Sequence, residues 1–171
     1  MFKETPIAGL LVFEPRVFGD ERGYFFESYN EKKFHEAGIT NQFVQDNQAK
    51  SSKGVLRGLH FQTGEHAQAK LVRVISGEVF DVAVDLREGS ATYGAWHGVY
   101  LSGENNRQLF VPRGFAHGYL VTSDEAVFAY KCDNLYAPQA EGGRRYDDPE
   151  IEISWPDLGM EYVVAERDLR W

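Results

Sequence analysis

Cysteine is nearly absent from this sequence: Cys132 is the single thiol in 171 residues. One thiol forms no intramolecular disulfide framework and no Cys-based zinc site. Positive charge is also scarce, with 18 Lys+Arg against 26 Asp+Glu and a formal net charge of −8. An acidic chain is a poor non-specific ligand for nucleic acid. Any anion it binds must be met by a local basic cluster working against the global field. No apolar run approaches the ~20 residues of a membrane span. Ile7–Phe13 is apolar, but it is short and lies between Glu4 and Glu14. A secretory signal needs a basic start and a longer apolar stretch, so a cytoplasmic protein without a membrane partner is expected. Gly-x-Gly-x-x-Gly, Gly-Lys-Ser/Thr and Gly-x-Ser-x-Gly are missing too. Their absence removes the common signatures of dinucleotide binding, phosphate loops and serine hydrolysis. There is no linker, low-complexity segment or internal repeat.

What the sequence does have is alternation. The length suits one domain, and 43% hydrophobic with 26% charged residues is an ordinary globular balance. Phe80, Val82, Val84 and Leu86 fall on one face of an extended segment, with Asp81 and Asp85 on the other. Lys70, Val72, Val74 and Ser76 share a face of the preceding segment. Ser76-Gly77 between them reads as a tight hairpin turn. Further strands are expected near Leu10–Phe18, Tyr24–Tyr29, Phe43–Asn47, Leu56–Gln62, Trp96–Leu101, Arg107–Val111, Phe115–Val121 and Ala126–Lys131. A short helix is expected over Glu31–Ala37, capped by Asn30 and stopped by Gly38. Beyond Asn134 the pattern loosens, with a helical turn near Pro156–Met160. Many short strands with Gly-rich turns describe a sandwich or barrel, and a jelly roll fits best.

Of five histidines, His35, His66 and His97 read as surface, loop and packing residues. His60 stands in Arg57-Gly58-Leu59-His60-Phe61-Gln62. Arg57 and His60 would project from opposite faces of a regular strand, but Gly58 can break that regularity. His117 stands in Pro112-Arg113-Gly114-Phe115-Ala116-His117, a spacing that resembles the second motif of the cupin superfamily. Metal-binding cupins pair it with His-x-His and a Glu. Here the second His is replaced by Gln62, and His66 stands where the Glu is expected. The donor set is depleted, so no metal is expected; Glu65, His66 and His117 are the residues an alternative metal site would use. Arg22, Arg57 and Lys70 are the cations that hint at an anionic ligand. Lys70, inward beside valines, would have its charge tuned by burial or by an anionic partner.

The ordered set Asp20-Glu21-Arg22-Gly23-Tyr24-Phe25-Phe26-Glu27, Gln45-Asp46-Asn47, Arg57–Gln62, Lys70–Val74, Gly77–Val82, Pro112–Gly118, Tyr130-Lys131-Cys132 and Trp155-Pro156 resembles the dTDP-4-dehydrorhamnose 3,5-epimerase family over nearly the whole chain. The resemblance implies an all-β cupin jelly roll, a short N-terminal helix and an irregular tail. It implies a single domain over 1–171: strands in 1–50 contributing to a homodimer, a barrel over 51–133, and a tail over 134–171. It implies inversion of carbons 3 and 5 of dTDP-4-dehydro-6-deoxy-D-glucose to give dTDP-4-dehydro-L-rhamnose, with a 3- or 5-mono-epimerase as the alternative, and with neither metal nor organic cofactor. The matched positions make His60 the base, Tyr130 the acid on the opposite face, Asp168 the partner of the base and Lys70 the stabiliser of an enolate. Arg22 and Arg57 match diphosphate contacts, and Glu27 and Tyr136 contacts to the thymine end. Gln45, Asp46, Asn47, His117, Glu141 and Arg167 match further substrate positions. Nucleotide contacts are expected across the dimer interface. Two departures stand out: Leu135 where relatives often have Tyr, and Arg167 where Lys is common.

Overall fold

Residues of alternating polarity need two partners, one for each face, and the chain supplies them by folding two sheets together. The computed structural model describes all 171 residues. In chain order the elements are β1 (Phe2–Glu4), β2 (Leu11–Phe13), β3 (Phe18–Asp20), β4 (Gly23–Phe25), α1 (Glu31–Glu36), β5 (Gln45–Ser52), β6 (Val55–Gln62), β7 (Lys70–Ser76), β8 (Glu78–Asp85), β9 (Trp96–Ser102), β10 (Gln108–Val111), β11 (Phe115–Val121), β12 (Glu125–Cys132), β13 (Glu141–Gly143) and β14 (Val163–Val164). One sheet has the order β1-β2-β10-β7-β12-β5 and the other β13-β6-β11-β8-β9, with β14 added parallel to β6. Two such sheets, packed face to face, make the jelly roll. β3 and β4 form a separate two-stranded hairpin. The sheets thus draw on segments from both ends of the chain. No helix is long and apolar enough to cross a membrane.

Three apolar layers result. Val72, Val74, Val79, Ala83, Leu109, Tyr119, Val121 and Phe128 fill the space between the sheets, where the Tyr119 and Phe128 rings stack at 4.0 Å. On the outer face of the first sheet, Leu71 and Phe110 meet Phe34 of α1. On the outer face of the second, Phe80, Val82 and Val84 meet Ile151 of the tail, with Trp155 packed alongside. β8 is therefore buried on both faces, and the face that carries Asp81 and Asp85 is the one turned inward; both carboxylates are fully buried.

Several expectations change. Ser76-Gly77 is not a hairpin turn: β7 pairs with β10 and β12, whereas β8 pairs with β9 and β11. The chain crosses from one sheet to the other at Gly77. A side chain there would strike Glu125 O, Ser123 Oγ and Ala126 Cα, so the corner admits only glycine. The strand expected over Leu10–Phe18 stops at Phe13, because Pro15 has no N–H to continue the ladder. The strand expected over Tyr24–Tyr29 is Gly23–Phe25. α1 matches its caps: the Asn30 side chain accepts from Lys33 N–H at 3.2 Å, and Gly38 follows at φ 86°. The tail has no helical turn at Pro156–Met160; its turns are 3-10 helices at Pro138–Ala140 and Glu166–Leu169.

Candidate active site

Gly58 decides where the site forms. β6 pairs with β11 so that His60 faces His117 and Arg57 faces Tyr119, with a register shift between the two pairs. Three residues of β6 span what two residues of β11 span. Directly paired residues share a face, so this bulge places Arg57 and His60 on the same, inward side, which a regular strand would forbid. A Cβ on Gly58 would come within 2.8 Å of the His117 carbonyl and closer still to Gly118 Cα. The backbone there also has φ 125°, a region open mainly to glycine.

Beside the bulge lies a cavity of about 420 Å³. His60 enters it from β6 in the second sheet, and Lys70 and Tyr130 from β7 and β12 in the first. Gln45 and Asn47 of β5, Tyr136, Glu141 and Arg167 complete the polar lining. Eight of the fourteen positions matched in the sequence thus surround one space. Asp168 stands directly behind it, 2% exposed. Its Oδ1 lies 2.8 Å from His60 Nε2, and its Oδ2 accepts from Gly58 N–H at 3.3 Å. The two residues are 108 positions apart and meet because the Glu166–Leu169 turn packs against β6. A carboxylate on Nε2 places the ring proton there. Nδ1 is left as the basic atom.

Burial pushes the His60 pKa below its ordinary value. Asp168 opposes this, and Lys70 and Arg167 add to it. The imidazole is therefore neutral at neutral pH and able to take a proton. Burial raises the Tyr130 phenol, while the Asn47 side chain pulls the other way, so Tyr130 keeps a proton to give. Lys70 Nζ lies 5.9 Å from the Tyr130 ring centre. Burial lowers its pKa; Cys132, Asp81 and Glu141 oppose that. The Cys132 thiol is itself pushed up to about 11 by burial and stays protonated at neutral pH. The anions that favour the Lys70 ammonium are then Asp81 and Glu141.

The other matched residues lie elsewhere. His117, the cross-strand neighbour of His60, is buried with Nε2 at 2.9 and 3.0 Å from the two Asp81 oxygens. Arg57 is exposed at the barrel rim, its Nε donating to Ser51 Oγ at 3.1 Å, and its charge acts on Tyr130 and Tyr119. Asp46 points to the outer face of β5, where it pairs with Lys131 at 3.0 Å. Arg22 and Glu27 are not part of the cavity lining: Arg22 bonds Asp20 on the β3–β4 hairpin, and Glu27 bonds Lys33 at 2.7 Å. Exposed ion pairs of this kind are weak in water. His60 and His117 each commit a ring nitrogen to a carboxylate, His66 faces Glu65 at 3.8 Å, and nowhere do three His, Cys, Asp or Glu side chains converge as a metal would need. Asp81 was missed in the sequence. Its signal was an acidic residue inside a strand whose other face is wholly apolar.

The family model for dTDP-4-dehydrorhamnose 3,5-epimerase matches residues 4–171. The chain belongs to this family. It is 53% identical over 171 residues to the dTDP-4-dehydrorhamnose 3,5-epimerase of Methanothermobacter thermautotrophicus, covering 99% of this chain and 92% of the relative. With the Escherichia coli enzyme of the same name it shares 56% identity over 167 residues, 97% of this chain and 90% of the relative. In structure it resembles the dTDP-6-deoxy-D-glucose-3,5-epimerase of Legionella pneumophila, solved in complex with dTDP-4-keto-L-rhamnose. The TM-score is 0.96 at 51% identity, covering 99% of this chain and 90% of that one. Membership puts the jelly roll and the epimerase class on the same footing as the geometry. The cavity brings the His60 imidazole from one sheet and the Tyr130 phenol from the other.

Proposed function

We propose that this protein inverts carbons 3 and 5 of dTDP-4-dehydro-6-deoxy-D-glucose, giving dTDP-4-dehydro-L-rhamnose. The observation that carries the reading is the pairing of His60–Asp168 on one sheet with Tyr130 on the other, across one cavity that also holds Lys70. A ring lying between the sheets exposes one face to an imidazole and the other to a phenol. Carbons 3 and 5 both flank the C4 ketone. His60 removes the proton from one of them, and the C–H electron pair moves into a C=C bond to C4 as the carbonyl becomes an enolate. The Lys70 ammonium stabilises the oxygen where that charge develops. Asp168 stabilises the imidazolium and fixes its orientation, as a carboxylate does for the histidine of a catalytic triad. When the enolate collapses, Tyr130 delivers a proton to the opposite face and the centre is inverted. Tyr130 then regains a proton from solvent and His60 releases its own. No electron is gained or lost, so the sequence of steps needs no redox carrier.

Arg57 at the rim and Arg167 in the lining supply cations for a diphosphate, which guanidinium groups bind with two parallel bonds. Tyr136, half exposed at the mouth, is suited to stack on thymine. Arg22 and Glu27 do not reach this cavity within one chain. Their hairpin carries Phe18, Tyr24 and Phe25 at 52%, 62% and 70% exposure, and β5 leaves one edge unpaired. An exposed strand edge accepts another strand. A homodimer in which the hairpin of one copy lies along β5 of the other would bring Arg22 to the partner's nucleotide and cover the aromatic rings.

Turnover in deuterated water tests the chemistry: deuterium should enter at carbons 3 and 5. Label at one carbon would make the protein a mono-epimerase, and label at neither would end the reading. Tyr130→Phe should still exchange the first proton yet invert poorly. The dimer is tested by mixing inactive Arg22→Ala and His60→Ala copies. Sites shared between copies predict recovered activity, and no recovery would mean each chain works alone.

A further inference from the structure

The segment that carries Tyr136 is held without any backbone ladder. Between β12 and the 3-10 turn at Pro138–Ala140, no other backbone group bonds the Leu135 carbonyl, the Tyr136 N–H or the Ala137 N–H. Side-chain amides take all three. Gln62 Nε2 donates to Leu135 O at 3.2 Å, and Gln62 Oε1 accepts from Ala137 N–H at 2.8 Å. Gln45 Oε1 accepts from the Tyr136 N–H itself at 3.0 Å. The second Gln62 donor goes to His66 O at 2.7 Å. Gln62 and Gln45 sit on different sheets, so the Tyr136 backbone is strapped across the mouth from both sides.

We propose that Gln62 is a positioning residue that sets the Tyr136 ring over the nucleotide end of the cavity; this rests on Tyr136 being the ring that meets the base. An amide has two N–H donors and one carbonyl oxygen. Both donors of Gln62 are spent on protein carbonyls and its oxygen on a protein N–H, and the residue is 7% exposed. It borders the cavity but has no donor left for a ligand. Its influence on substrate passes through the peptide groups on either side of Tyr136. The residue that stands where metal-binding cupins place a ligand here organises a loop. Hydrogen bonds to the flanking peptides fix the ring's height and tilt, and the Tyr136 hydroxyl, donating to Glu141 Oε2 at 3.3 Å, fixes its far end.

Titration of dTDP into the whole protein tests this with Gln62→Leu, Tyr136→Ala and the double variant. Losing a stacked base predicts about tenfold weaker dTDP binding for Tyr136→Ala. Gln62→Leu should weaken dTDP by about fivefold, and the double variant should bind no worse than Tyr136→Ala alone, because the two act through one ring. In turnover, Gln62→Leu should raise KM by a similar factor while kcat falls by less than about threefold. Additive losses, or wild-type binding by Gln62→Leu, would overturn the proposal. If Tyr136→Ala binds dTDP as the wild type does, the ring does not serve the base, and both the proposal and its premise fail, an outcome distinct from additivity. Should Gln62→Leu fail to fold, Gln62→Glu keeps the acceptor for Ala137 N–H but removes both donors, and the same comparison with Tyr136→Ala decides.

Discussion

Two histidine–carboxylate pairs sit side by side in this barrel, and the contrast between them shows what makes one of them chemistry. His60–Asp168 and His117–Asp81 have nearly equal lengths, 2.8 and 2.9 Å. The two histidines are register partners across β6 and β11. They differ in access: the His60 side chain is 22% exposed and borders the cavity, whereas that of His117 is 7% exposed. They differ also in assembly. His117 and Asp81 sit on neighbouring strands of one sheet, so the sheet's own pairing brings them together. Asp168 reaches His60 only when the tail docks. The outer pair depends on the finished fold and borders the cavity; the inner pair is part of the barrel's filling.

The largest break in this symmetry should come from His60→Ala, which removes the proposed base. Rate should fall by roughly 10³-fold at both carbons, measured as deuterium uptake, since positioned acid–base groups contribute roughly 10²–10⁴-fold. Asp168→Asn should keep the fold and lower kcat by roughly 10²-fold, because the imidazolium loses its counter-charge and the ring its orientation. The pH profile of kcat/KM sharpens the comparison further. The His60 pKa lies below its ordinary value, so activity should hold through neutrality and fall about tenfold per unit only once pH drops below that lowered value. The raised Tyr130 places the alkaline limb above the ordinary phenol range. An acid limb centred above neutrality would reassign the base. Of the two histidine–carboxylate pairs, the smaller catalytic effect belongs to Asp81→Asn. It leaves His60 paired, so kcat should drop by less than about tenfold while the melting temperature falls, the cost of disturbing a buried charged hydrogen bond being about 1–3 kcal/mol. If Asp81→Asn were as damaging to kcat as Asp168→Asn, the inner pair would have to join the mechanism.

Alternation made β7 and β8 legible, since each carries a period of two. It could not tell which sheet a strand would join. Ser76-Gly77 has a hairpin's composition, yet the same small residues serve a crossover when the next strand belongs opposite. Nor could alternation say which face of β8 points inward, because the tail covers the apolar face and leaves Asp81 to the interior. Gly58 gave a local warning that the strand would not keep Arg57 and His60 on opposite faces, and the bulge realises it. The union of His60 with Asp168 came from family resemblance alone: no periodic pattern links positions so far apart. Arg22, Glu27 and Asp46 were also drawn from the resemblance, and a single chain leaves them outside the cavity.

Because Tyr130 and His60 ride on different sheets, the gap between them is gauged by what separates those sheets. Tyr119 and Phe128 stand in that gap as a spacer, with Phe128 two residues from Tyr130 on the same inward face. Trimming that spacer would let the walls of the slot close on an empty site without altering any group that lines the cavity. The width of the barrel's filling is in this sense the tolerance to which the enzyme is machined.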